Sequence, residues 1–283
     1  MSAPPSPGCA TAAERLHRTP AGAAFVGADA SDVAFADLRP GFVAPGAREL
    51  PGAAAFDALL LELSAGFGRR HWWPAASPFE VAVGAILTQN TAWRNVELAL
   101  ANLREAGALE PATLLALPPA DEQPRDRAAA PGSSARSLEA LIRPSGFFRT
   151  KATKLRALTT WWLTQPGGAE VALATRPLAS LRPELLAIHG VGPETADSIL
   201  CYAGGRPVAI VDAYTRRVLA RHHLVPHAAK APYEELRAWL GARLAPDQLV
   251  REEFHALVVA AGYDNCKPTP NCASCPASDP AKL

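Results

Sequence analysis

The feature that most constrains the fold of this chain is a glycine-containing turn between two helical runs at residues 185–204. The first run ends in the residues HGVG at 189–192, and Pro193 then stands where the first turn of a new helix begins. Glycine permits positive φ and leaves the backbone uncovered, so the amides at the start of the second helix point at one spot in solvent. The segment therefore predicts a helix, a hairpin and a helix, with a spot that suits an anion.

A single acid follows this segment at a short distance. Asp212 comes directly after the apolar residues 208–211 and opens a further helix, with Arg216 and Arg217 one turn later. An acid at a helix N-terminus interacts favourably with the helix dipole, and aspartate is a common helix cap. A cap and a catalytic carboxylate are both compatible with this position.

The sequence GVG-x-x-TA at 190–196, followed by the dipeptide VD at 211–212, resembles the helix-hairpin-helix DNA glycosylases of the endonuclease III superfamily. The resemblance implies that Asp212 is catalytic and that the hairpin binds a DNA phosphate. The hairpin residues that it assigns to DNA are Gly190, Val191, Gly192 and Thr195. From the pattern alone, an ordinary glycine-rich turn between packed helices is the alternative.

Composition limits the classes of partner. Lys and Arg number 28 and Asp and Glu number 27, a difference of +1, so any contact with nucleic acid has to be a local patch. No run approaches the roughly 18 apolar residues of a membrane span, and no secretory signal is apparent. We therefore expect a cytoplasmic protein without membrane contact, nucleoid-associated if prokaryotic, and monomeric.

Apolar periodicity is helical along the chain, and no β-hairpin signal occurs, so the predicted class is all-α. Residues 1–50 are rich in Ala, Pro and Gly and are expected to form a disordered extension. The polar, proline-rich segment 118–135 is expected to be a surface loop. The other predicted elements are helices at 52–67, 79–87, 93–103, 233–244 and 249–261.

Three tryptophans flank the apolar helix predicted at 79–87. Trp72 and Trp73 precede it in a WWP sequence, and Trp93 follows it in QNT-x-W. These motifs resemble the 3-methyladenine DNA glycosylase III branch, and the indoles could line a base pocket or pack in the core. The resemblance implies that Gln89 fills the gap left by an extruded base.

A second turn carries an apolar residue after a glycine. By the same resemblance Phe147, in the sequence GFFRTK, is a second wedge between bases, and Lys151 and Lys154 lie near backbone phosphates. Core packing of Phe147 and a solvated helix face for the lysines are the alternatives.

The C-terminal cysteines are typical of a metal site rather than a disulfide framework. Cys266, Cys272 and Cys275 follow the spacing C-x5-C-x2-C, which can bind one metal centre. Endonuclease III relatives hold a [4Fe-4S] cluster here with four cysteines, and the fourth position in this chain is Ala281. Asp279 is the nearest candidate for the fourth ligand, and zinc or an empty site are the alternatives.

The resemblance implies a two-lobed fold with the active site between the lobes. One lobe is a six-helix bundle at 76–206, and the other combines 52–75 with 207–283. The family's lyase lysine is replaced here by Glu194, which could instead line the base pocket. We therefore expect a monofunctional glycosylase that removes alkylated purines from double-stranded DNA. An endonuclease III-like enzyme for oxidised pyrimidines, with weak or no lyase activity, and a catalytically silent damage-binding paralogue are the alternatives.

Overall fold

A computed structural model describes residues 42–70, 72–120 and 136–277. These residues contain helices and one isolated antiparallel bridge but no strand, which confirms the all-α class. None of their helices is long and apolar enough to cross a membrane. The α-helices are α1 (Ala53–Phe67), α2 (Pro78–Leu87), α3 (Trp93–Glu105), α4 (Pro111–Ala116), α5 (Leu138–Leu141), α6 (Phe148–Leu163), α7 (Ala169–Thr175), α8 (Leu178–Ala187), α9 (Pro193–Ser198), α10 (Ala213–Arg221), α11 (Tyr233–Arg243) and α12 (Gln248–Asp264).

The first of two apolar cores lies among the helices from α2 to α9 and the π-helical turn Ile199–Ala203 that continues α9. Helix α2 is buried on all sides, as its almost entirely apolar sequence predicts. It begins at Ser77, whose hydroxyl accepts the Glu80 amide at 3.2 Å. The rings of Phe79 and Trp162 meet edge to face at 5.2 Å, which joins α2 to α6.

The second core combines α1 with α10, α11 and α12. Phe56 is fully buried and contacts the rings of Trp239 and Phe254, at centroid distances of 5.1 and 5.8 Å. This division into two cores confirms the two-lobed fold. Phe42 and Val43, which we placed in the disordered extension, are buried in the second core, while residues 1–41 lie outside the described part of the chain.

A buried carboxylate connects the two lobes. Asp197 in α9 has no exposed surface and accepts hydrogen bonds from Arg182 at 2.7 and 3.0 Å. From α11, Arg237 pairs with the same carboxylate at 3.0 Å, and the Tyr233 hydroxyl donates to it at 3.0 Å. The hairpin helix is thereby fixed against the lobe that carries Asp212.

Candidate functional site

The hairpin has the predicted form, with one difference in its backbone. Gly190 has φ +84°, and a Cβ there would lie 2.2 Å from the Lys154 side chain, so both conformation and space favour glycine. Gly192 has φ −89°, which any residue adopts, so only the first glycine supplies the positive φ that we expected of both. Within the described residues no acceptor pairs with the amides of Gly190 or Gly192.

Asp212 lies at the N-terminus of α10, where it caps the helix. Its Oδ1 accepts the Thr215 amide at 2.6 Å, and the residue is only 8 % exposed. Burial opposes its ionisation, but His255 and Thr215 outweigh this and hold the pKa of the carboxyl below its usual range. Asp212 is therefore a buried carboxylate that is ionised at neutral pH, and the cap occupies only one of its two oxygens.

Glu194 lies in the first turn of α9 and interacts electrostatically with Asp212. Its side chain keeps solvent contact, but surrounding protein atoms, and next the Asp212 carboxylate, raise the pKa of Glu194. His255 and Arg216 oppose that rise. The carboxyl groups at the start of the hairpin helix and at the start of α10 thus lie near enough to interact electrostatically.

The three tryptophans predicted to form a pocket lie together. The ring centroid of Trp72 is 4.6 Å from that of Trp93, and Trp73 is 5.7 Å from Trp72 and 5.3 Å from Trp93. Each remains partly exposed. Trp73 also contacts Tyr202 at 5.4 Å and packs its ring against Gly84 of α2. We call these three indoles the tryptophan cluster.

Gln89 reaches the hairpin from the turn after α2. Its Nε2 donates to the Gly190 carbonyl and to Thr195 Oγ1, both at 3.0 Å, and its Oε1 accepts from Lys154 Nζ at 2.6 Å. Gln89 therefore contacts three other residues that the sequence analysis assigned to DNA. The Gln89 side chain is half-buried and already hydrogen-bonded, whereas its neighbour Asn90 is exposed with φ 52°.

Lys151 does not occupy the place that we predicted for it. Instead of facing a phosphate it is 2 % exposed, and Nζ donates to Leu87 O at 2.7 Å, Thr91 Oγ1 at 2.6 Å and Ser145 O at 2.7 Å. Burial, and next the charge of Lys154, lower the pKa of Lys151 to about 8. All three protons of the ammonium are used inside the protein, so this group has none left for DNA.

Phe147 is the most exposed large apolar residue in the described part of the chain, at 71 %. It precedes α6 with φ 45°, a conformation unusual for a bulky side chain. The exposed Arg143 and Arg149 flank the turn, with guanidinium carbons 6.0 and 5.7 Å from the ring centroid of Phe148. These two arginines form a local positive patch, which a net charge near zero still allows. In the sequence, the basic residues on either side of GFF were the available signal for this patch.

Comparison with known proteins agrees with this geometry. The family model described as HhH-GPD superfamily base excision DNA repair protein matches residues 83–242, which include the hairpin and Asp212. A putative DNA repair glycosylase of Methanocaldococcus jannaschii is 39 % identical over 211 residues, which are 74 % of this chain and 88 % of that protein. The chain belongs to the HhH-GPD superfamily of base excision DNA repair proteins.

Two solved structures show the same fold as this HhH-GPD glycosylase. One is the 3-methyladenine DNA glycosylase of Helicobacter pylori bound to 1,N6-ethenoadenine, with 25 % identity, a TM-score of 0.58 and coverage of 76 % of this chain and 98 % of that one. The other is an endonuclease III–DNA complex, with 22 % identity, a TM-score of 0.63 and coverage of 80 % and 92 %. Membership of this base excision DNA repair family supports DNA as the partner of the chain.

The structure also brings one histidine next to Asp212, a contact that the sequence analysis did not predict. His255 lies on α12 and is buried, as an ordinary core histidine would be. However, its Nε2 faces Asp212 Oδ2 at 3.7 Å, and its Nδ1 is hydrogen-bonded to the Tyr202 hydroxyl at 2.7 Å. Because 43 residues of chain separate His255 from Asp212, no local pattern could have indicated this contact.

Cys266, Cys272 and Cys275 border one cavity of about 390 Å³ in the second lobe of this HhH-GPD protein. Arg221 donates to Cys266 Sγ at 3.2 Å, and burial, then the nearby Cys266 and Cys272, raise the pKa of Cys275. The cavity is also lined by Glu62, His222 and His223, which the sequence did not single out. Even so, within residues 42–70, 72–120 and 136–277 no three His, Cys, Asp or Glu side chains are placed to hold one metal ion.

The fourth ligand proposed for the cluster cannot be placed, because Asp279 lies outside the described residues. The described donors therefore do not complete a [4Fe-4S] site.

Proposed function

We propose that this glycosylase is monofunctional and removes alkylated purines from double-stranded DNA by base flipping. The observation that carries the proposal is the pairing of Asp212, a buried carboxylate held in its ionised form, with Glu194 at the position where lyase members have a lysine. A carboxylate stabilises positive charge on a sugar, whereas neither carboxyl group can form an imine.

Asp212 has the properties that hydrolysis of a glycosidic bond requires. As the bond between C1′ and the base nitrogen breaks, its electron pair leaves with the base and positive charge develops on the sugar. The oxygen of a water molecule bonds to C1′, and the free carboxylate oxygen, Oδ2, accepts the proton that this water loses. Because Thr215 holds Oδ1, the carboxylate keeps one orientation throughout.

Without an amine nucleophile, the substrate should carry a base that leaves easily. A purine alkylated at N3 or N7 is cationic while it is attached to the sugar and needs little further protonation. It also binds well against the electron-rich faces of the tryptophan cluster, where cation–π attraction contributes about 0.5–2 kcal/mol. The Helicobacter pylori glycosylase with bound 1,N6-ethenoadenine supports this substrate class, since its fold is shared.

The contacts with DNA follow from the hairpin and the two turns beside it. The free amides of Gly190 and Gly192 are suited to one backbone phosphate, and Phe147 is the side chain available to enter the base stack. For Gln89 to fill the vacated space, its amide has to leave Gly190 and Thr195. Phe147 is therefore the first wedge to test.

A panel of duplexes with single lesions tests the substrate class. We expect release of 7-methylguanine, 3-methyladenine or 1,N6-ethenoadenine by the wild type and none by Asp212→Asn, with lesion binding retained. Asp247→Asn is the matched control, because Asp247 caps α12 in the same way, through the Val250 amide at 3.1 Å, but lies outside the site. Equal turnover by both variants and the wild type would remove Asp212 from the mechanism.

The same panel separates the two rival functions. Release of oxidised pyrimidines such as thymine glycol, without release of alkylated purines, would favour the endonuclease III-like function. Tight lesion binding without release of any base would favour the damage-binding paralogue. Because that paralogue does not need an ionised Asp212, the buried carboxylate favours an enzyme.

Borohydride trapping tests the monofunctional assignment. The wild type should give no covalent adduct with lesion-containing DNA, because Glu194 cannot form an imine. Glu194→Lys is the positive control, since it places an amine at the hairpin helix near Asp212. An adduct formed by the wild type as readily as by Glu194→Lys would contradict the proposal.

A [4Fe-4S] cluster at Cys266, Cys272 and Cys275 stays a proposal that supplies no step of the reaction. The iron and zinc contents of protein purified without oxygen test this proposal, together with its absorption at about 400 nm. Iron with that absorption supports a cluster, and zinc alone or neither metal overturns it. Cys201, buried in the bundle, is the control cysteine: Cys201→Ser should leave metal content unchanged.

A further inference from the structure

A buried chain of contacts connects the tryptophan cluster to Asp212. Trp73 packs against the ring of Tyr202 at 5.4 Å, the Tyr202 hydroxyl is 2.7 Å from His255 Nδ1, and His255 Nε2 is 3.7 Å from Asp212 Oδ2. Tyr202 and His255 are 4 % and 6 % exposed. The hydrolytic step described above uses neither of these two side chains.

The hydrogen bond to Tyr202 fixes the orientation of the imidazole. His255 cannot turn without breaking that bond inside the protein, where water does not replace it. The Tyr202 hydroxyl is also 3.4 Å from Glu252 O, so its proton can go to that carbonyl or to Nδ1. If Nδ1 accepts the proton, a neutral imidazole carries its own proton on Nε2, facing Asp212.

The contact between His255 and Asp212 is electrostatic. At 3.7 Å it is longer than a hydrogen bond, but a buried N–H dipole or an imidazolium at that distance still favours the ionised carboxylate. Other charged groups act at the same centre. Asp212 and Arg216 on α10 interact with Glu194 on α9, and Glu252 and Glu253 on α12 interact with Tyr202.

We propose that His255, oriented by Tyr202, is a positioning residue that keeps Asp212 ionised and turned towards the sugar. The two lobes then each supply part of the reaction centre, because Tyr202 belongs to the bundle core and His255 to α12 of the second lobe. This inference rests on the proposed function, since it assigns a task to the same carboxylate.

The test is the pH dependence of single-turnover base release from a lesion duplex, between about pH 3 and 8.5. Three variants are compared with the wild type. His255→Leu removes the group that faces Asp212, His255→Gln keeps an uncharged N–H there, and Tyr202→Phe keeps the ring on Trp73 but loses the hydroxyl. Lesion binding is measured for all of them by fluorescence anisotropy.

We expect His255→Leu to lower the rate at pH 7 by about tenfold or more and to move the acidic limb of the profile to higher pH by about one unit. The limb moves in that direction because release needs the carboxylate, and without His255 the carboxylate is harder to form. Tyr202→Phe should shift the limb the same way by less, and His255→Gln should recover part of the rate. Binding should stay within about threefold.

An unchanged acidic limb in His255→Gln and Tyr202→Phe, with wild-type rates, would overturn the inference even if His255→Leu failed to fold. A loss of both lesion binding and the rate of base release, with the acidic limb of the pH profile unchanged, would also overturn the inference, because that result indicates a merely structural role. Failure of the proposed function looks different, since the wild type itself would then release no base from any lesion.

Discussion

Lys151 Nζ donates a hydrogen bond to the carbonyl oxygen of Ser145 at 2.7 Å, and this bond holds the turn that precedes α6. The same ammonium reaches Leu87 O and Thr91 Oγ1 beside the Gln89 turn, and Thr91 Oγ1 in turn donates to Ser145 O. One buried cation therefore sets the spacing between the turn after α2 and the turn before α6.

Lys151→Met should destabilise the protein by about 2–4 kcal/mol, because it removes the side-chain donor to Leu87 O and one of the two donors to Ser145 O inside the protein. Chemical denaturation at pH 7 measures this loss. Lys230→Met is the control, since Lys230 is exposed and its removal should change the free energy of unfolding by less than about 0.5 kcal/mol. A loss as small as that of the control would mean that the ammonium is not a tie between the turns.

Lys151 also illustrates what the sequence could and could not predict. Periodicity and caps located the long helices closely: the helix predicted at Trp93–Leu103 runs from Trp93 to Glu105, and Asp212 caps α10. These signals are local. The burial of Lys151 depends on carbonyl groups 64 and 6 residues away in the chain. The sequence alone therefore could not distinguish this buried lysine from a solvent-exposed lysine in the first turn of a helix.

Residues of the candidate site could be predicted from the sequence only where they belong to a recognisable motif. The hairpin, Asp212 and the tryptophans were found because each has a short sequence signature. His255 and Tyr202 carry no such signature, and they meet only because α12 packs across the bundle. Gln89 was found, but its bonds to Gly190 and Thr195, more than 100 residues away, were not.

The stability of the protein should fall as pH rises from about 5 to 7. Burial raises the pKa of Glu253 to about 7, although the hydrogen bond from the Arg70 amide acts to lower it. Burial also raises the pKa of the adjacent Glu252 to about 7. Between about pH 4.5, which is the pKa of this glutamate in the unfolded chain, and about pH 7, the folded state binds more protons than the unfolded state. The stability that is present below this pH range is therefore lost as the pH rises through it.

Glu253→Gln keeps an oxygen for the Arg70 amide but cannot ionise. It should be about 1–3 kcal/mol more stable than the wild type at pH 7.5 and equal to it near pH 4.5, so its profile is flatter. Denaturant midpoints at several pH values measure this difference. Glu170→Gln, at an exposed site on α7, should leave the dependence of stability on pH unchanged. If Glu253→Gln showed the same pH dependence as the wild type, the raised pKa of Glu253 would be contradicted.

The two lobes should depend on Asp197 for their joint stability. Asp197→Asn keeps the volume of the side chain but leaves Arg182 and Arg237 without their buried partner, which should cost about 3–5 kcal/mol. Thermal or chemical unfolding measures the loss. Glu184→Gln breaks the exposed pair with Arg176 and should change stability little, so similar losses in both variants would contradict a special role for the interlobe carboxylate.

Phe147 should be needed for excision from duplex DNA but not for folding. Because its side chain is 71 % exposed, Phe147→Ala should change the free energy of unfolding by less than about 0.5 kcal/mol. It should slow base release from a duplex by about tenfold or more, since the wedge that supports unstacking is lost, and leave release from single-stranded DNA nearly unchanged. Single-turnover assays on both substrates measure the ratio.

Two further variants separate the wedge from the backbone strain at this turn. Phe147→Gly also loses the wedge, but glycine accepts φ 45° freely, so this variant should be more stable than Phe147→Ala by about 1 kcal/mol while excising duplex lesions equally slowly. Leu98→Ala removes an exposed apolar side chain from α3, away from the turn, and should match the wild type on both substrates. If Phe147→Gly excised duplex lesions at the wild-type rate, the aromatic ring would have no part in opening the base stack.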